Sequence, residues 1–479
     1  MLLPAALLAL AHGFAAAQSN PRLHALISGA TREAALSAIT STPRGAAASA
    51  RMAAAPLTSP QQLHLSLGPT PASMRITWVT MAPLQGNASP PTATWWPAAG
   101  GANATSAASA RTYSAGMLGW HGAIYEAVMA PLLEGVEYAY SVSGGGSASP
   151  PLTFSLPPPA GAPSARIAYM GDVGTIVPLG WAVCDRLTEE HLEGAAGRFD
   201  AVIVAGDLSY STVEPSSCSP TNPGCDSVEW TWDSWGMQVE PFAATAPLLT
   251  AVGNHERVGG NVTPLGGGPA LSAFAAYEAR YPTRQAPAPG MSFWYSVDVG
   301  PIHLVFLSSE HPFDEDSAQG AWLASDLAAV SRASTPWVAA VLHRPVYSAA
   351  VLEWADHSPG GKLSAALEPQ FERGGVDICL AAHIHSFDYT HPVRNGTVVA
   401  RPVNGTSTYT DPGAPIYVVQ GTGGGLPENV FFDPPPAWSA ARILGSFGYA
   451  RITASAKALQ YEFVGLYGEV LNTFQITKS

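Results

Sequence analysis

Five short apolar runs constrain this chain most, because each one stops at a small residue or histidine followed by polar donors. Ile167-Ala168-Tyr169-Met170 leads into Gly171-Asp172-Val173-Gly174, and Ala201-Val202-Ile203-Val204 into Gly206-Asp207-Leu208-Ser209-Tyr210. Leu248 to Val252 leads into Gly253-Asn254-His255-Glu256. Trp337 to Leu342 ends in His343-Arg344-Pro345, and Ile378 to Ala381 in Ala382-His383-Ile384-His385. Apolar runs of this kind read as strands buried on both faces. A further run, Ile302 to Leu307, carries no such ending, and helical stretches such as Ala321 to Val330 lie between the strands. The pattern predicts a layered α/β domain with its sheets covered by helices. In such folds sites assemble beyond the C-terminal ends of the strands, which is where all these polar clusters fall. A glycine ahead of a donor lets the backbone turn tightly and approach closely.

The donors are two carboxylates, one amide oxygen, three imidazoles and one phenol: Asp172, Asp207, Asn254, His343, His383, His385 and Tyr210. That mixture suits two metal ions bridged by one carboxylate. Oxygen and nitrogen donors without thiolate point to Fe, Zn or Mn. His383 and His385 stand two apart, so in an extended segment both rings face one side. Taken singly, each cluster has an ordinary explanation: a turn, a cap, a packed tyrosine. Their joint occurrence, in order and at strand ends, is what carries the reading.

The series GDVG, GDLSY, GNHE, LHRP, AHIH resembles the five-block metallophosphoesterase signature in its purple acid phosphatase form, marked by Tyr210 three residues after Asp207. The resemblance implies that Asp172, Tyr210 and His385 hold Fe(III). It assigns Asn254, His343 and His383 to a divalent partner (Zn, Mn or Fe(II)), with Asp207 bridging. It also implies hydrolysis of phosphate monoesters by a metal-bound hydroxide attacking in line. Asp207 and His255 are the catalytic candidates; Asn254, His255 and Arg344 are the candidates for binding phosphate. The chain departs from the family at Ala382, where Gly is usual, and at Ser386-Phe387-Asp388-Tyr389, where an aromatic-Glu-Arg ending is usual. The second change predicts looser support behind the site. Leu352 and Glu353 occupy a stretch where some plant members place phosphate-binding histidines. His311, His357 and His391 are expected to be exposed or structural, and the tryptophans at 230, 232 and 235 to form a helix packing face.

The 479 residues suggest two domains. Leu2 to Leu10 and Ala15-Ala16-Ala17 read as a signal peptide over 1–17, which predicts secretion to the exterior, cell wall or vacuolar lumen. An Ala-rich leader, expected to be poorly ordered, follows over 18–57. Alternating segments such as Met74 to Thr80 predict a β-sandwich over 58–145, similar to the family's fibronectin-III-like domain. A Gly- and Pro-rich linker is placed at 146–165 and the catalytic domain at 166–479, giving an α+β two-domain chain with an αββα catalytic sandwich. A last strand pair is read at Tyr449–Thr453 and Ala458–Val464. The spacing of Cys218 and Cys225 predicts a small disulfide loop; Cys184 and Cys379 read as buried free thiols. Sequons stand at Asn87, Asn103, Asn261, Asn395 and Asn404. A net charge of −13 argues against a nucleic-acid partner, and no run is long enough for a membrane span. Small phosphate esters are the expected partners. The alternatives are a nucleotide phosphodiesterase or pyrophosphatase of the same superfamily, and a secreted binding module without catalysis.

Overall fold

The computed structural model describes residues 37, 39–84, 89–115, 120–144, 146–175, 177–194, 197–211, 229–264, 270–281, 293–403, 405–427 and 430–479. The signal-peptide segment and both Cys218 and Cys225 lie outside the described residues.

The N-terminal part is a sandwich of two antiparallel sheets. Strands 61–67, 74–80, 123–129 and 109–115 form one; strands 92–97, 104–107, 137–144, 147–148 and 152–155 form the other. Alternation along each strand sends Trp78, Tyr125, Tyr140 and Phe154 into the shared core, where all four are buried. Two boundaries differ from expectation. Strands 147–148 and 152–155 pair with 137–144, so the connection to the next domain starts only after Ser155. Their Gly and Pro neighbours hid them, since the strands are too short to show alternation. The leader is partly built as well. Pro43–Ala54 is a helix started by Thr42, whose side chain accepts from the Gly45 amide, with Pro at the first turn. Arg51 pairs with Glu240 at 3.1 Å, and Ile39 packs with Trp181 and Met237 of the catalytic domain.

Among the described residues the catalytic domain contains two seven-stranded sheets packed face to face. Strands 164–170, 201–205 and 248–251 run parallel in the first. Strands 302–306, 337–341, 378–381 and 416–420 run parallel in the second. Ile203, Tyr169, Phe306, Leu380 and Phe463 meet in the layer between them. Helices 178–193 and 230–243 cover one outer face, and helices 318–329 and 362–374 the other. Trp232 and Trp235 are fully buried in the first of these outer layers, as the packing reading expected. Cys184 and Cys379 are buried and free. The C-terminus adds three antiparallel strands rather than two, 448–455, 458–465 and 470–477.

The domains share a sheet. The hairpin 260–264 and 270–272, from the catalytic part, pairs with strand 109–115 of the sandwich. Arg280 is buried at this junction and donates to Gln62 and Asp233, both at 3.0 Å. No helix among the described residues is long and apolar enough to cross a membrane. Asn103 and Asn395 are exposed, Asn261 is half-buried in the shared sheet, and Asn87 and Asn404 lie outside the described residues.

Candidate metal centre

The parallel strands of both sheets end on one edge, and the predicted donors gather there. Asp172 follows strand 164–170, Asp207 and Tyr210 follow 201–205, and Asn254 follows 248–251. His343 follows 337–341; His383 and His385 follow 378–381. Asp172, Asp207 and His343 are buried, and the others half-buried. Non-glycine residues rarely adopt positive φ, at a cost of about 1–3 kcal/mol each. Among the described residues eight do so, and four are predicted ligands: Asp172 (56°), Asp207 (50°), Tyr210 (52°) and His383 (69°). Such strain persists where function requires it.

The donors form two groups. In one, the Tyr210 hydroxyl lies 2.8 Å from Nε2 of His385 and 3.2 Å from Oδ1 of Asp172. In the other, Nε2 of His343 lies 3.0 Å from Oδ1 of Asn254 and 3.2 Å from Oδ2 of Asp207. Ligand atoms of Asp207, His343 and His383 fall within 4.8 Å of one another. Residues 382–386 bend instead of extending, with His383 left-handed, so the two histidines of that block serve different groups. His385 faces Tyr210; His383 faces His343, ring centroids 5.0 Å apart.

The backbone fixes how these rings point. Nδ1 of His343 lies 2.8 Å from the carbonyl of Ala205, and Nδ1 of His385 lies 2.7 Å from that of Leu426. A carbonyl only accepts, so Nδ1 carries the hydrogen and Nε2 points inward, ready to ligate once a metal displaces any proton it holds there. Gly206 makes this possible. A Cβ there would stand 2.6 Å from Nδ1 of His343, and its φ is +83°. Burial alone would raise the Asp207 carboxyl, but His343, His255 and His383 hold it well below the usual range. The site thus favours positive charge beside a buried carboxylate. Hard oxygen donors, imidazole nitrogens turned inward and that charge preference fit two metal ions.

Sequence reasoning missed several supports. Glu256 is buried and accepts the amides of Asp207, Leu208 and Gly253, each at 2.8 Å, so one carboxylate ties two ligand loops together. Burial and the charge of Asp207 push its carboxyl up to about 8. Arg344 donates to Glu310 at 2.8 Å and to Glu353 at 3.0 Å, so its charge is already matched. His357 is buried against Glu353. Hydrogen bonds from His357 and His383 hold Glu353 well below its usual range. His255 is half-buried, with its amide on Oδ1 of Asp207 at 2.9 Å and its ring 4.5 Å from that of Tyr210. The changed last block is itself well bonded. Asp388 is buried and accepts from the Ser348 hydroxyl at 3.0 Å and the Ala349 amide at 3.3 Å. Ala382 sets its methyl where a Gly171 Cβ would be, 2.3 Å away, so the pair packs with one side chain.

Comparison with known proteins agrees with this geometry. Residues 60–156 match the purple acid phosphatase N-terminal domain, 165–387 the calcineurin-like phosphoesterases, and 414–473 the iron/zinc purple acid phosphatase-like C-terminal segment. The chain belongs to the purple acid phosphatase family. As a member it is a phosphatase, and the family implies a binuclear metal centre. It is 28% identical to purple acid phosphatase 18 of Arabidopsis thaliana, over 82% of this chain and 78% of that one. It is 32% identical to the phosphoenolpyruvate phosphatase of Allium cepa, over 69% of this chain and 64% of that one. A purple acid phosphatase from yellow lupin seeds has the same fold, with a TM-score of 0.73 at 23% identity, covering 88% of this chain and 75% of that one.

Proposed function

We propose that this purple acid phosphatase hydrolyses phosphate monoesters at an Fe(III)–divalent centre held by the seven donors. The observation that carries the reading is the phenol of Tyr210 beside Asp172 and His385, in a group distinct from Asn254, His343 and His383. A phenolate is a hard anionic donor, which favours a ferric ion on that side. Bound ions would neutralise phosphate charge and acidify a water. The residues do the rest. Asp207 stands 3.2 Å from Nε2 of His343 and is the carboxylate we assign to bridge the two ions. Asn254 and His255 sit together on the 3₁₀ turn 254–256, at the mouth of the site. His255 is placed to donate to a phosphate oxygen or to the leaving oxygen, while its amide stays anchored on Asp207. Arg344 faces the same opening, restrained by Glu310 and Glu353. The apolar leader and the exposed sequons at Asn103 and Asn395 support secretion.

The test is to purify the protein from a secreting host, record its visible spectrum, and compare p-nitrophenyl phosphate with bis-p-nitrophenyl phosphate. A charge-transfer band with faster monoester turnover is expected. Faster diester turnover by a colourless, metal-loaded protein would favour the phosphodiesterase reading. No turnover of either ester with both ions bound would favour a binding module.

A further inference from the structure

Glu353 belongs to none of the sequence blocks, yet it shares the unusual backbone of the ligands, with φ of +52°. It is exposed, so packing does not account for that strain. The loop that carries it is knitted through His357. The His357 amide donates to the Glu353 carbonyl, its carbonyl accepts from Ser348, and its Nδ1 lies 2.6 Å from the Pro345 carbonyl. His357 also stands 3.3 Å from Oε2 of Glu353, behind the carboxylate. That carboxylate is aimed at one atom of the centre: Oε2 lies 3.0 Å from Nε2 of His383.

The three imidazoles then follow one rule. His343 is tied on its far nitrogen by the Ala205 carbonyl and His385 by the Leu426 carbonyl. His383 is tied by Glu353. We propose that Glu353 is a positioning residue for the metal centre: it accepts the Nε2 hydrogen of His383, so that Nδ1 presents the lone pair to the divalent ion. Unlike the two carbonyls it carries a full charge. Arg344 Nη1 lies 3.0 Å from the same Oε2 and 2.9 Å from Nε2 of His383; a guanidinium only donates, so in the proposed arrangement it donates to the carboxylate and leaves the imidazole hydrogen to Glu353. It balances the carboxylate when His383 binds metal.

This rests on the two-metal reading, and the experiment separates the two. Wild type, Glu353→Gln and Glu353→Gly are stripped, equilibrated with graded Zn²⁺, and assayed for bound metal per chain together with thermal stability. Wild type should bind two ions. Glu353→Gln should bind the weaker ion about 10-fold less tightly, and Glu353→Gly about 100-fold less, with the tighter ion unchanged. Glycine accepts a φ of +52° without strain, so the Gly variant should melt at or above the wild-type temperature. Weaker binding in a protein no less stable is a result that a merely structural role does not produce. Wild-type affinity for both ions in both variants overturns the proposal alone. Fewer than two ions in the wild type overturns the two-metal reading and the proposal with it. Should the Gly variant fail to fold, the near-isosteric Gln variant decides.

Discussion

Among the described residues, the metal centre and a cluster on the second sheet both mix histidine with carboxylates, and they are wired differently. On the second sheet His303 lies between Asp298 and Asp326, with Nδ1 2.6 Å from one and Nε2 3.0 Å from the other. Both nitrogens face carboxylates, so both carry hydrogen and the ring is a cation. Burial opposes that charge, but the two carboxylates prevail and push the pKa up to about 9. At the metal centre His343 and His385 spend one nitrogen on a neutral carbonyl and keep the other for the interior. His343 also faces a carboxylate, Asp207 at 3.2 Å, which outweighs burial and pushes its pKa up to about 10; what sets it apart from His303 is the neutral carbonyl on Nδ1, which leaves one nitrogen for a metal to take over. Proximity to carboxylates does not set them apart, since both clusters have it.

The sharpest way to break the comparison is to make one change in both places. His343→Gln removes an inward imidazole nitrogen and should lower kcat/KM for p-nitrophenyl phosphate by about 10³-fold or more. His303→Gln should leave it unaltered. Similar losses in the two variants would refute the distinction. Tyr210→Phe comes next. The ring stays against His255 but the phenol is gone, so the visible band should vanish and kcat fall about 10–100-fold. A band that survives in the Phe variant would place the chromophore elsewhere.

His303 should instead show itself in stability. Its folded pKa of about 9 lies above the ordinary 6.5. The stabilisation is therefore complete below pH 6.5 and is lost as pH rises through 9. Its size should be about 2 kcal/mol, less than the full shift implies, because the cluster is partly open to solvent. Urea midpoints across that range should fall for wild type and stay flatter for His303→Gln. Parallel curves would mean that His303 is not held as a cation.

The same contrast explains what the sequence made legible. All seven donors were readable because each lies within a few residues of the apolar strand that delivers it. The sheet edge then brings five such local signals together. Glu353, Glu310 and Glu256 gave no comparable signal as supports. Their roles depend on which amide, guanidinium or imidazole the fold sets beside them, and nothing adjacent in sequence announces that. The hairpin 260–264 and 270–272 escaped for the same reason, since its partner strand is about 150 residues away in another domain. The helix Pro43–Ala54 was different: Thr42-Pro43 is a readable start, but an Ala-rich composition concealed the face that meets Trp181.

Asp388 offers the smallest effect and a third environment, a buried carboxyl with no histidine partner. Burial is the leading influence and pushes it up to about 7; Ala349, Ser348 and Arg442 pull the other way without prevailing. Its folded pKa thus lies above the unfolded 3.8, so ionisation is disfavoured in the fold. The resulting cost is absent below pH 3.8, grows as pH rises towards 7, and then levels off. Asn at this position keeps an acceptor for the Ala349 amide and cannot ionise, and the Ser348 hydroxyl can rotate to accept. Asp388→Asn should therefore match wild type near pH 4 and exceed it by about 1 kcal/mol at pH 8, read from denaturant midpoints. A variant less stable at pH 8 would show instead that the charge is needed, with Arg442 as its counter-ion.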